Sequence, residues 1–567
     1  MDRTYNLNSL KELLLNSVKN YGDRIAFTLK TTEGEKRNKT VKYEDKTYND
    51  FKDDVYSIGT SMIRRGINTK KCAIIGKNSY EWFTAYTATL LGDGVTVPLD
   101  KGLPYEEIKL SIERSGSEVV FFDEANESVM DRIKEEEPDS SVIFISLEPE
   151  SKYLTANSMI EEGKKILDEG DTSFDDIEID EDKVSILLFT SGTTSLSKIV
   201  MLTQRNVATN TAAAINVEPF ETTDVNMAFL PYHHTFGSTG QWVMIAIGAK
   251  TVFCDGLKYI QKNMAEYKVS VFISVPLLIE SIYKKIIIGA EKQGKLKLLK
   301  FMGMVSNGLL KLGIDVRRKL FKSVLDQLGG ELRFIICGAA AVDPEALKGF
   351  NGFGIVTVQG YGLTETSPIL TAERPGHMKL GSVGVPLPDI EVKISDKNDQ
   401  GIGEVIARGP NIMKGYYNNQ KETDDVLKDG WFYTGDLGYI DKAGYLFLSG
   451  RKKNVLILKN GKNVYPEELE LTYGNLPYIK ENVVMGIPHA DDERELTLYL
   501  KIVYDAEYFD VDKEEIEKII RKDIDAINDT LPRYKQVRRV IITDEGLIKT
   551  TTAKVKRFEE IKLITKQ

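Results

Sequence analysis

The chain has 567 residues, of which 42% are hydrophobic and 28% charged, and 85 Asp and Glu against 75 Lys and Arg leave a formal charge of −10. That length exceeds what a single core supports and predicts two or more domains, and the acidic balance argues against nucleic acid as the main partner. Three cysteines, Cys72, Cys254 and Cys337, lie far apart beside apolar runs without metal-ligand spacing, so they predict reduced core thiols of an intracellular protein. The first residues carry no apolar signal-like run. The most apolar stretch, 269–279, is too short to span a bilayer and contains Pro276. The expected location is cytoplasmic.

Along the chain, Phe51, Val55, Ile58 and Met62 recur at helical spacing. Residues 71–76 predict a buried strand, 80–91 a helix and 95–99 a second strand, a βαβ unit with parallel pairing. A helix over 104–114 and a strand over 119–122 follow. Asp and Glu dominate 171–182, which predicts a solvated connection before a strand at 184–188. Residues 199–202 read as another strand, and 332–337 as a further one. Asp343 then N-caps a helix with Pro344 in its first turn. From 390 to 448, short strands broken by Gly predict a small β-rich subdomain. The domain boundary is expected at 451–453, before a C-terminal domain of about a hundred residues.

Five segments carry chemistry. Phe189-Thr190-Ser191-Gly192-Thr193-Thr194-Ser195-Leu196-Ser197-Lys198 packs hydroxyls, unhindered N–H groups and one cation between two apolar runs, which suits a polyphosphate or, read plainly, a polar hairpin loop. Its spacing is not that of a P-loop. Gln359-Gly360-Tyr361-Gly362-Leu363-Thr364-Glu365-Thr366 follows a strand and is expected on a loop at its carboxyl end, where open α/β sheets bind ligands. There Glu365 suits a phosphate-bound Mg²⁺, or a cap. Trp431-Phe432-Tyr433-Thr434-Gly435-Asp436 sets one acid where it can take both ribose hydroxyls or close an Asx-turn. His233 and His234 lack a metal-motif partner, so zinc is not expected. Lys549 to Lys554 reads alone as an exposed basic tail that ends the structured chain.

Together these segments resemble the adenylate-forming superfamily, which includes acyl-CoA synthetases, over nearly the whole chain. Phe229-Leu230 before Pro231, and Lys459-Asn460-Gly461-Lys462-Asn463-Val464-Tyr465-Pro466-Glu467-Glu468, look closest to long-chain fatty acyl-CoA synthetases. The resemblance implies a large N-terminal domain of doubly wound sheets with the β-rich subdomain (1–450), a hinge (451–453) and a small mobile α+β domain (454–567). It implies that Thr190, Ser191, Gly192, Thr193, Thr194 and Lys198 hold the β- and γ-phosphates of ATP. Gly338, Ala339, Tyr361 and Gly362 would form the adenine pocket, and Thr364 and Glu365 would bind the α-phosphate and Mg²⁺. Asp436 would take the ribose with Arg451 beside it, and His234 would lie by the acyl carboxylate. Lys453 would be the hinge, Gly461 would line the path of CoA, and Lys554 would be the catalytic lysine.

The implied reaction joins a medium- or long-chain fatty acid to CoA through an acyl-adenylate. Alternatives are an acyl carrier protein as acceptor, or an aryl or branched acid as donor. Ser195, Ile199 and Ala553 depart from the family pattern and suggest a degenerate nucleotide-binding regulator, against which stand Glu365, Asp436, Arg451 and Lys554. Finally, Lys and Arg crowd 284–322 with interleaved Leu298, Leu299, Phe301, Met302 and Met304. Such a segment either sits at an anionic membrane surface or forms a solvated basic face of a helical subdomain.

Overall fold

The computed structural model describes residues 5–33, 40–190, 197–459, 462–489, 492–549 and 555–565. The chain divides into two compact units. One comprises the described residues up to Glu391 together with Ala407–Phe432, and the other comprises Val392–Ile406 and the chain from Tyr433 on. This division falls ahead of the expected hinge at 451–453.

The first unit is built on two large sheets. One has eight strands, in the spatial order Gly415–Tyr416, Ile199–Thr203, Val184–Phe189, Val95–Leu99, Lys71–Ile75, Val119–Phe122, Ile143–Ser146 and Leu154–Thr155. The expected βαβ unit lies at its centre, with Lys71–Ile75 parallel to both Val95–Leu99 and Val119–Phe122. The other has nine strands, and Ile25–Glu33, Lys250–Phe253, Val225–Ala228, Val271–Ser274, Phe334–Cys337 and Val356–Gly362 run parallel through it. Such sheets need cover on both faces, so their strands are apolar throughout rather than alternating.

Helices supply that cover. Tyr48–Arg64 starts at Thr47, whose hydroxyl caps Asp50 while the Asp50 carboxylate returns to the Thr47 N–H. Its stripe of Phe51, Val55, Ile58 and Met62 is fully buried. Thr235–Ile247 is buried on every side, with only Phe236 partly exposed, and its polar residues Ser238, Thr239 and Gln241 find partners inside the protein. Apolar residues of these helices and of both sheets form one continuous cluster. The acidic connection 171–182 is solvated as expected except at Phe174, which is buried and meets the Tyr56 ring at 5.2 Å. The apolar stretch 269–279 splits into the strand Val271–Ser274 and the start of the helix Pro276–Lys292. Cys72 and Cys337 are buried thiols, whereas Cys254 is only half-buried, at the strand end after Phe253.

The second unit contains the antiparallel pair Ile479–His489 and Asp492–Tyr504, with Arg539–Thr543 parallel to the latter. The helices Pro466–Gly474 and Lys513–Thr530 share its core. The chain does not end its folded part at Lys549. Val555 bridges back to Lys549, and the helix Arg557–Thr565 follows. Among the described residues no helix is long and apolar enough to cross a membrane.

Two glycines set opposite expectations. Gly163 lies in the helix Ala156–Asp168, where an added Cβ would stand 1.8 Å from the Ser57 carbonyl oxygen, whereas Gly308 in the helix Leu296–Lys311 has open space around it. Gly163→Ala therefore forces two helices apart at a cost of about 1–3 kcal/mol or more. Gly308→Ala gains about 0.8–1 kcal/mol from helix propensity alone. Thermal unfolding should move down for the first and up for the second, and a shift of the same sign in both would contradict this packing.

Candidate functional site

The Ser/Thr/Gly segment is a hairpin connection. Val184–Phe189 pairs antiparallel with Ile199–Thr203, and the Thr190 N–H donates to the Lys198 carbonyl at 2.9 Å. The expectation that it joins two strands is met at both ends. Ser191, Gly192, Thr193, Thr194 and Ser195 lie outside the described residues. Ile199 is buried in the core below the loop, so alternation along the strand turns its bulk away from Lys198. Arg114, which sequence reasoning missed, pins the loop's base. Its guanidinium donates to the Ser197 carbonyl at 2.7 Å and lies 5.6 Å from the Phe189 ring centre.

The other unit-one residues gather at one edge of the nine-stranded sheet. Phe334–Cys337 and Val356–Gly362 run parallel with Cys337 opposite Gln359, so Gly338 and Ala339 emerge beside Gly360 and Tyr361. Gln359 to Gly362, expected on a loop, instead belong to the strand. At Gly360 the strand exchanges its parallel neighbour for the antiparallel Ile369–Ala372, with a bulge between Tyr361 and Gly362. A side chain at Gly362 would stand 1.7 Å from the Pro368 carbonyl, so only glycine permits that crossing. Ala339 has φ +73°, a left-handed conformation that L side chains adopt at a cost. Tyr361 is mostly buried.

His234 leaves the carboxyl end of Val225–Ala228 and occupies the N-cap position of Thr235–Ile247. Its ring centre is 4.2 Å from that of His233. Burial holds His233 below the usual imidazole range, with Asp100 at 3.7 Å opposing that shift. Asn78 fixes this loop by donating to the Leu230 carbonyl and accepting the Tyr232 N–H. Phe236 touches the space beside Gly338, and the Thr239 hydroxyl donates to the Ser367 carbonyl. The His234 loop, the Gly338 turn and the Thr364–Thr366 turn are thereby tied together.

Tyr416 brings the hairpin and that edge to one point. Its strand, Gly415–Tyr416, pairs antiparallel with Ile199–Thr203. The Lys198 ammonium sits 4.6 Å from the centre of the Tyr416 ring, and the Tyr416 hydroxyl donates to Glu365 Oε1 at 2.9 Å. Glu365 is held from behind as well, since its carbonyl accepts the Met413 N–H. Glu422 takes the Lys198 ammonium directly at 2.5 Å. Neither Tyr416 nor Glu422 is singled out by sequence pattern, because each acts across more than fifty residues. The adjacent aromatics after Gly415, in an otherwise polar loop, are the one local signal for Tyr416. Among the described residues no three His, Cys, Asp or Glu side chains gather to hold a metal ion.

In the second unit, Asp436 and Arg451 stand opposite each other on the strands Trp431–Ile440 and Leu446–Arg451. Arg451 Nε meets Asp436 Oδ1 at 2.6 Å, and Asp436 is buried. Glu404 accepts the Gly435 N–H and the Lys452 ammonium, fixing the turn before Asp436. Lys453 lies exposed in the turn Lys452–Asn454. Gly461, Ala553 and Lys554 lie outside the described residues, but both flanks of the terminal lysine segment are firmly placed. Lys549 pairs with Glu481, and Arg557 is bound by Glu467 and Glu470. The buried Glu560 accepts from Lys501 and from the Ile548 N–H. The chain is therefore folded on both sides of that segment.

A hydroxyl-rich hairpin of one sheet, whose cation meets through Tyr416 a carboxylate at the carboxyl edge of the other, is an α/β arrangement suited to an anionic ligand. The family model described as AMP-binding enzyme matches residues 14–417. The chain belongs to that family. It is 27% identical to "Long-chain-fatty-acid--CoA ligase 5" of Rattus norvegicus over 92% of this chain and 83% of the relative. It is also 27% identical to "Long chain acyl-CoA synthetase 7, peroxisomal" of Arabidopsis thaliana, over 78% and 67% respectively. Among solved structures, the anthranilate CoA ligase AuaEII in complex with anthranoyl-AMP superposes with a TM-score of 0.77 at 19% identity, covering 99% of this chain and 98% of that one. ATP-bound MatB from Rhodopseudomonas palustris gives 0.74 at 22% identity, covering 98% and 99%. These two likenesses show that the fold is theirs.

Two carboxyls lie near each other behind this edge, Glu373 buried and Glu218 half-buried. Glu373 accepts the N–H groups of Gln359 and Lys379, yet burial raises it to about 7. Burial raises Glu218 to about 8, opposed by Arg374, and Glu218 Oε2 has no hydrogen-bond partner. Both folded values exceed the ordinary 4.5. Their stabilising contribution is therefore whole below pH 4.5 and is lost as pH rises through 7 and then 8. Glu218→Gln should unfold at the wild-type temperature near the acid end and several degrees higher than wild type above pH 8. An equal gap at both ends would show that Glu218 does not titrate this way.

Proposed function

We propose that this protein is an AMP-forming ligase that activates a fatty acid as an acyl-adenylate and passes the acyl group to the thiol of CoA. The observation that carries the reading is the meeting of Lys198 and Glu365 on Tyr416, a cation and a carboxylate held side by side for a polyphosphate. The named activities of the relatives, matched over most of both chains, supply the acid and the thiol.

A carboxylate does not acylate a thiol directly, because oxide is a poor leaving group. In the first step a carboxylate oxygen of the acid bonds to the α-phosphorus of ATP. The bond from that phosphorus to the bridging oxygen breaks, and pyrophosphate leaves with the electron pair. Negative charge spreads over phosphate oxygens, so fixed cations and donors lower the barrier. Lys198 and the hydroxyls of the 190–194 loop are proposed for the β- and γ-phosphates. Thr364 is proposed for the α-phosphate, and Gly338, Ala339, Tyr361 and Gly362 for the base. Glu365 would hold Mg²⁺ together with phosphate oxygens, and the ion when bound supplies further charge neutralisation. His234, at the positive end of Thr235–Ile247, is proposed to orient the acid's carboxylate.

In the second step the CoA sulfur bonds to the acyl carbon, its proton is lost, and AMP leaves with the pair from the carbon–oxygen bond. Asp436 is proposed for the ribose hydroxyls, with Arg451 orienting it through their ion pair. Lys554 is proposed as the lysine of the first step, Lys453 as the hinge and Gly461 as part of the CoA path. A medium or long chain is proposed for the acid, and CoA rather than a carrier protein for the acceptor.

The test is ATP–pyrophosphate exchange with a panel of acids, since it reports the first step without the acceptor. Each buried methylene contributes about 0.8 kcal/mol, so affinity should rise about fourfold per added carbon until the acyl pocket ends. Benzoate or an amino acid as the best donor would overturn the reading. Thioester formation on a phosphopantetheinylated carrier protein but not on CoA would overturn the acceptor.

A further inference from the structure

Residues 284–322 hold eleven Lys and Arg against two acids, a net +9 in a chain of net −10. If this were only the solvated basic face of a helical subdomain, its apolar residues would turn inward and its lysines outward. The helix Leu296–Lys311 does otherwise. Leu299, Met302 and Ser306 face the protein, and the first two pack on a core cluster. The exposed surface beside that buried face is not polar throughout. Leu298 is 55% exposed, Phe301 57% and Met304 68%, and Val305 is exposed beside them. Helical spacing aligns Leu298, Phe301 and Val305 on one stripe, and Lys297, Lys300, Met304 and Lys311 on the next. The chain then turns through Leu312, 76% exposed, and Ile314, 51% exposed. Seven of the 27 exposed large apolar residues among those described fall between Leu298 and Ile314. Isolated exposed apolar side chains are ordinary, but contiguous ones mark an interaction surface.

The charges sort the same way. Arg317 and Arg318 turn inward, donating to the carbonyls of Asn351 and Leu332 at 2.8 Å each. Lys297, Lys300 and Lys311 stay exposed on the helix that carries the apolar stripe. We propose that this face docks on an anionic phospholipid surface. Leu298, Phe301 and Val305 would enter the acyl boundary while the flanking lysines meet the headgroups. Charge complementarity selects this partner. A chain of net −10 is repelled on the whole by such a surface, so a segment of net +9 that also exposes apolar side chains favours one orientation of contact. The inference rests on exposure and charge and does not depend on the substrate proposed above.

The experiment is co-sedimentation of the full chain with phosphatidylcholine vesicles, with and without phosphatidylglycerol, at low and high salt. Binding is expected only with phosphatidylglycerol present, and it should weaken with salt. A nearby lysine is worth about fivefold in affinity, so Lys297→Gln with Lys300→Gln should lose about thirtyfold. Phe301→Ser should lose about tenfold or more. These exposed positions lie outside the proposed catalytic machinery, so the far-ultraviolet circular dichroism and the vesicle-free exchange rate of each variant should match wild type. Wild type left in the supernatant at low salt would overturn the proposal. So would binding to phosphatidylcholine alone that the lysine variants leave intact. A dimer in light scattering that Phe301→Ser dissolves would give the face to a second copy instead, and would equally overturn it.

Discussion

A lysine and a glutamate proposed to serve the same phosphate chain face a conflict, because left to themselves they pair with each other and neutralise what each must offer. Tyr416 resolves it with its two kinds of surface. The negative ring face attracts Lys198, and the hydroxyl donates to Glu365. Glu422 then satisfies the Lys198 ammonium, so Glu365 need not. In the proposed reaction an incoming polyphosphate, with its several negative charges, would displace a single half-exposed carboxylate from that lysine. Lys198 would then have a partner with and without ligand, and Glu422 and the Tyr416 ring hold it in the absence of one.

The rest of the first unit positions that contact. Gly415–Tyr416 must lie along Ile199–Thr203, which requires the hairpin with Val184–Phe189 and hence the eight-stranded sheet. Glu365 must stand at the end of a strand that changes neighbours at Gly360, and Gly362 permits this by leaving room for the Pro368 carbonyl. The His234 loop reaches the same edge because Asn78 holds its backbone. In the second unit the same economy appears in the pairing of Asp436 with Arg451 and in the ion pairs of Lys549 with Glu481 and Arg557 with Glu470 on either side of the terminal lysine segment.

What could be read from sequence follows from range. Segments whose pattern is local were legible. The buried strand at Lys71–Ile75, the helix Tyr80–Leu91 and the cap at Asp343 each declare themselves within a few residues. The hairpin around Lys198 was legible because two apolar runs flank a polar loop. The strand character of Gln359 to Gly362 was not, since glycines there signal a turn, and only the distant Ile369–Ala372 strand shows that they serve close backbone approach. Arg114, Tyr416 and Glu422 escaped because their partners lie far off in the chain. The helix after Val555 escaped because a basic, Thr-rich segment reads as a tail when the distant partners of the residues after it, Glu467 and Glu470 for Arg557 and Lys501 for Glu560, are unknown. The exposure of Phe301 and Met304 was open for the same reason, since an apolar residue in a basic segment does not reveal which way it faces.

The measurement that bears most directly on Tyr416 is pyrophosphate exchange by Tyr416→Phe and Tyr416→Leu, each titrated with ATP and with Mg²⁺. Tyr416→Phe keeps the ring beneath Lys198 and removes one hydrogen bond to a carboxylate, so about a tenfold loss or more is expected, accompanied by a higher Mg²⁺ requirement. Tyr416→Leu also removes the cation–π contact, so a further loss of about twofold to thirtyfold is expected, with a raised KM for ATP. Wild-type exchange and unchanged ATP and Mg²⁺ requirements in Tyr416→Leu would contradict the claim that this residue joins the cation and the carboxylate in one site.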